Sequence, residues 1–257
     1  MEYKQELPEQ AEDRPMPGEA TTEPDAATNQ DYWCFAWMPD TLPTEGNERA
    51  ALIKRHMWST GELIEISFLD GIPSVQERVK QAALRWVGPG MANLRLIFRT
   101  DTTNTPIRIS FKEKGSWSMV GTSCRNVADK TRPTMNFGWL TELSTDEQVA
   151  RVVLHEFGHA LGLTHEHMSP AGGIPWDRDQ VIKDLSGPPN NWTLAQIENN
   201  MFRQFEKAET NFTALDPKSI MMYPIPAKWT TDGFSVDTNR DLSKTDKKFI
   251  RKQYPGS

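Results

Sequence analysis

The chain has 257 residues, 37% of them hydrophobic and 25% charged, a composition that suits one globular core carrying an extension. Its formal net charge is −6 and no long Lys/Arg run occurs, which argues against nucleic acid as a partner. No apolar run approaches the length of a membrane span, and the two cysteines, Cys34 and Cys124, cannot make a disulfide framework.

From Met1 to about Gln30 the sequence is acidic and rich in Pro and Thr, with Leu7 as its only large aliphatic residue, so residues 1–30 are expected to be a disordered extension. This start lacks the basic and apolar regions of a secretory leader. The location implied is the cytoplasm or leaderless export, or secretion if a leader was removed. Residues 31–60 read as a docking or pro-like segment. Their run Asp31 to Met38 concentrates aromatic residues around Cys34, and a strand or clamp packed on the main domain is the plainest role for it.

Residues 61–257 read as one main domain. Glu62 to Leu69 alternates polar and apolar residues before Asp70-Gly71, which predicts a strand and a turn. An amphipathic helix follows, with Val75, Val79, Ala82, Ala83 and Trp86 on one face and Ser74 as N-cap. Asn93 to Phe98 and Pro106 to Lys112 predict strands, and the segments around Ser116 to Gly121 and Thr134 to Leu140 predict two weaker ones. Ser144 and Glu147 have capping-box spacing at the head of a helix running to Gly162. Gly172-Gly173, Pro175 and Pro188-Pro189 predict irregular chain beyond it. Two more helices are predicted, over Leu194 to Lys207 and over Lys244 to Gln253 with Ser243 as N-cap. The class is therefore α/β (α+β).

The chemistry concentrates in His155-Glu-Phe-Gly-His159-Ala-Leu-Gly-Leu-Thr-His165. Two imidazoles four residues apart share a helix face and can share a metal ion. Gly162 can take a left-handed conformation that ends the helix and turns His165 back toward the same ion. Three His ligands suit Zn2+ with an open fourth position, the pattern of a catalytic site. Glu156 is then placed to activate the attacking water. His167, two residues past a ligand, reads as a structural or surface residue.

These residues carry a resemblance. The long signature resembles that of the metzincin metallopeptidases, and Ser219-Ile-Met221-Met-Tyr223 resembles their Met-turn in its astacin form. Glu166 follows the third His as in astacins, and the tail around a Ser-capped last helix is also similar. The resemblance implies a zincin fold: an upper subdomain with a twisted, mostly parallel sheet and helices, and an irregular lower subdomain ending in the C-terminal helix. It implies a zinc endopeptidase acting on protein or peptide substrates, and a monomer.

By the same resemblance Tyr223 can reach the metal and then donate to the oxyanion, Met221 packs beneath the ligands, and Arg240 lines the pocket after the scissile bond. The alternative is a non-catalytic zinc or protein-binding module on the same fold. The chain lacks the cysteines for the two astacin disulfides, and no Phe-x-Gly-Asp motif occurs in residues 1–49. Cys34 has two functional options, a bond to Cys124 or a thiolate resting on the metal, beside the plainer one of a buried free thiol.

Overall fold

The apolar and alternating segments pair into one six-stranded sheet. The computed structural model describes residues 34–37 by their backbone, and residues 56–169, 173–188, 190–204 and 215–256 in full. The expected extension over residues 1–30 lies outside them.

The strands are β1 Cys34–Trp37, β2 Leu63–Phe68, β3 Arg95–Arg99, β4 Ile107–Ser110, β5 Ser116–Met119 and β6 Met135–Phe137. Across the sheet they lie in the order β1-β5-β6-β4-β2-β3, and all neighbours are parallel except β5 and β6. The aromatic segment thus contributes an edge strand, with Cys34 opposite Ser116 and Trp37 opposite Met119. Central strands β4 and β6 are buried throughout, as strands inside a largely parallel sheet must be.

Arg108 is the charged residue of buried β4. It is fully buried, and its guanidinium donates to the carbonyls of Thr105 at 2.6 Å and Arg132 at 2.7 Å, so backbone oxygens stand in for the lost water. Cys124 is a free, buried thiol pushed up to about 12 by desolvation, so the bond to Cys34 is not made. The side chain of Cys34 lies outside the described residues.

Helix α1, Pro73–Leu84, packs on α2, Asp146–Ala160, and buries Val75, Val79, Ala82 and Ala83. Its cap differs from the expected one. Pro73 occupies the first turn, where a missing N–H costs nothing, behind Ile72 as N-cap. Ser74 instead donates to Glu142. The box of α2 is shifted by one residue, with Thr145 and Gln148 bonding reciprocally, because Ser144 Oγ is occupied as acceptor of the Thr141 N–H.

Beyond α2 the chain is less irregular than its Gly and Pro content predicts. Asp177 caps α3, Arg178–Ser186, which buries Val181 and Leu185. Helix α4, Leu194–Ile197, continues as a π-helical turn over Glu198–Phe202. Leu194 is exposed, while Ile197 and Met201 face the interior. The helix ends at Phe202, short of the predicted Lys207, because Arg203 turns to extended backbone; Phe205 to Lys207 lie outside the described residues. Helix α5, Lys244–Gln253, has Ser243 as N-cap, as expected.

Two hydrophobic cores result. One lies between the sheet, α1, α2 and α5; the other gathers Ile174, Val181, Leu185, Trp192 and Trp229 beneath α3 and α4. Met221 belongs to the first, while Met222 and Tyr223 belong to the second. This turn therefore joins the two halves. No helix among the described residues is long and apolar enough to cross a membrane.

Candidate metal centre

Helix α2 is fixed in depth by donors that reach it from outside. Trp86 Nε1 donates to Leu154 O at 3.0 Å, Trp58 Nε1 to Ala160 O at 2.7 Å, and the Tyr254 hydroxyl to Leu161 O at 2.7 Å. The last two satisfy carbonyls that a helix end leaves open. Gly162 has φ +93°. With it Gly162 N–H bonds His159 O and Leu163 N–H bonds Gly158 O, the paired bonds of a Schellman motif. The left-handed Gly162 expected from the sequence is therefore present, and it turns the chain so that His165 comes back over the helix face.

The outcome is a buried triad. His155, His159 and His165 each offer a ring nitrogen, and these atoms lie within 4.8 Å of one another. His155 Nδ1 donates to Ile220 O at 2.7 Å and His159 Nδ1 to Leu163 O at 2.9 Å. A carbonyl only accepts, so both rings carry their proton on Nδ1 and present the lone pair of Nε2 inward. His155 Nε2 is buried with no hydrogen-bond partner, and His159 Nε2 lies 3.1 Å from His165 Nε2. Burial pushes His155 and His165 well below the ordinary imidazole range, assisted by the neighbouring rings, and His159 down to about 4.

These features fit zinc. Four-coordinate zinc with bonds of about 2.0–2.1 Å places its ligand nitrogens roughly 3.3 Å apart and requires neutral imidazoles. Inward lone pairs without a protein donor are otherwise costly to bury.

Around the triad, Glu156 is fully buried on α2. The Tyr223 ring centroid lies 4.2 Å from that of His165 and 6.1 Å from that of His155. His167 is buried, not at the surface: its Nε2 donates to Asn200 O at 2.7 Å and its ring stacks on Tyr223 at 4.8 Å. Met221 lies beneath α2, where a Cβ at Gly158 would meet its Sδ at 2.3 Å. Arg240 forms an exposed ion pair with Glu147 on the first turn of α2.

The family model for Astacin, a peptidase family, matches residues 54–254, which span the triad and Tyr223. The chain belongs to the astacin family. Among solved structures it is similar to myroilysin, with 39% identity and a TM-score of 0.77 over 80% of this chain and 98% of that one. A second myroilysin structure shares 36% identity over 87% of this chain and 90% of that one, with a TM-score of 0.63. High choriolytic enzyme 1 from the medaka fish Oryzias latipes, a hatching enzyme zinc-protease, matches at 18% identity over 79% of this chain and 96% of that one, with a TM-score of 0.51, a likeness of fold. No curated protein matches. As an astacin, the chain is a member of a zinc-dependent metalloprotease family with a histidine triad able to hold the metal.

Sequence reasoning passed over the hydrogen bond between Ser219 and Asp246, which ties the Met-turn to α5. Ser219 was legible only as the start of the Met-turn and Asp246 only as a residue of the last helix. Their meeting across 27 positions has no local signal.

Proposed function

We propose that this astacin is a zinc-dependent endopeptidase that hydrolyses internal peptide bonds of proteins or peptides, with His155, His159 and His165 as ligands and Glu156 and Tyr223 as catalytic residues. The observation that carries it is the buried triad, in which backbone carbonyls hold the protons of His155 and His159 on Nδ1 and leave the lone pairs of their Nε2 atoms facing His165. When bound, zinc supplies a Lewis acid that activates water and polarises the scissile carbonyl.

The protein's own groups divide the remaining work. Glu156 takes the proton of the attacking water and passes it to the leaving amine, a transfer suited to a carboxylate one residue from a ligand. Tyr223, packed beside His165, donates its phenolic hydrogen bond to the oxyanion as charge develops there. His155 and His159 keep their orientation through Ile220 O and Leu163 O.

Mass-spectrometric profiling of peptide-library cleavage, with Glu156→Ala as the blank, tests this. Internal cleavage by the wild type that vanishes in the variant while the variant keeps its zinc is the expected result. Equal cleavage by both would remove Glu156 from the mechanism, and no cleavage by either would favour a non-catalytic zinc or protein-binding module.

A further inference from the structure

The carbonyl that holds His155 is one end of a longer path. His155 Nδ1–H donates to Ile220 O at 2.7 Å. The same peptide group carries the Met221 N–H, which donates to Ser219 Oγ at 3.0 Å. Ser219 Oγ donates in turn to Asp246 Oδ1 at 2.7 Å. Asp246 Oδ2 accepts from Ile220 N and Ser243 N, each at 2.8 Å. Ser219 and Asp246 are both buried, so solvent does not compete for these bonds.

The direction of every bond is forced. A carboxylate accepts, so the serine hydroxyl must donate to it and is left with lone pairs for the Met221 N–H. The amide is thereby polarised at its nitrogen, which makes the Ile220 carbonyl a better acceptor for the imidazole N–H. Ligand histidines commonly donate their second nitrogen to a carboxylate or carbonyl, which fixes the tautomer and raises ligand basicity. Here carboxylate and imidazole are joined through one hydroxyl and one amide.

We propose that Asp246 and Ser219 are positioning residues for the metal site, acting on His155 through the Ile220–Met221 peptide, so that the C-terminal helix sets zinc affinity as well as capping itself. The proposal rests on the reading of His155 as a ligand. It also gives the Met-turn a role besides packing: it transmits the charge of a carboxylate on α5 to a ring on α2.

The test is zinc affinity, measured by competition with a chromophoric chelator, beside the melting temperature of the metal-free protein. Ser219→Ala cuts the path but leaves the Asp246 bonds to Ile220 and Ser243 in place. It is expected to weaken zinc binding roughly 10- to 100-fold. Asp246→Asn should weaken it at least as much, and the double variant no further than Asp246→Asn alone. Ser243→Ala, which removes the side-chain cap of α5 and not the path, should lower the melting temperature and leave zinc affinity at the wild-type value.

Wild-type affinity in Ser219→Ala would overturn the proposal, as would independent, multiplying losses in the double variant. If Asp246→Asn does not fold, the contrast between Ser219→Ala and Ser243→Ala decides alone. Wild-type zinc affinity in His155→Ala would refute the ligand reading instead, a different failure.

Discussion

Tyr223 meets His165, His167 and His155 through its ring, and that packing does not need the hydroxyl. Tyr223→Phe is therefore expected to keep zinc and fold while lowering kcat roughly 10- to 1000-fold with little change in KM, since the proposed oxyanion bond would form mainly in the transition state. Steady-state kinetics on one cleaved peptide checks this; a rise in KM alone would make the hydroxyl a ground-state contact. At this scale the sequence was most informative where covalent geometry decides. Histidines four apart share a helix face whatever surrounds them, and Gly162 is the residue that a φ of +93° favours. It was least informative where distant backbone decides. The burial of His167 depends on Asn200 O, which accepts its Nε2–H, and that of Arg108 on Arg132 O as well as the nearby Thr105 O; Asn200 and Arg132 are both distant in sequence.

Helix α2 carries two of the three histidines, and its end is fastened by Trp58 and Tyr254, which lie near opposite ends of the described chain. Removing the phenol in Tyr254→Phe leaves Leu161 O without this donor in a buried setting, at a cost of about 1–2 kcal/mol. A matching fall in unfolding free energy by urea titration, with the triad still able to take zinc, is expected. An unchanged free energy would show that the helix end does not depend on it. Capping explains both the success and the misses of sequence reading at this scale. Strong periodicity located α1, α2 and α5, but the N-cap slipped by one residue in α2 because Ser144 and Thr145 are adjacent candidates and only tertiary bonding separates them. Helix α3 has nine residues and two buried apolar positions, too short a pattern to outweigh the flanking Gly and Pro.

The described residues form two cores joined at the Met-turn, with the histidine-bearing face of α2 held between the Ile220 carbonyl and the ring of Tyr223. The α/β class was legible through strands interleaved with a helix, and the mostly parallel sheet was implied by the family resemblance. Its order was not, because the antiparallel pairing of β5 with β6 and the edge position of β1 are set by contacts between distant segments. If the folded triad is the ligand set, as proposed, zinc should also stabilise the fold, by about 2.7 kcal/mol at a free concentration 100-fold above its dissociation constant. Chelation should therefore lower the melting temperature of the wild type, while His159→Ala should show no such dependence. The most direct measurement is a zinc titration of the metal-free protein that follows bound metal and peptide hydrolysis together. Hydrolysis should rise to a plateau at about one zinc per chain, with Glu156→Ala taking the same equivalent and hydrolysing nothing. Hydrolysis without metal, or a full equivalent bound by His159→Ala, would contradict the assignment.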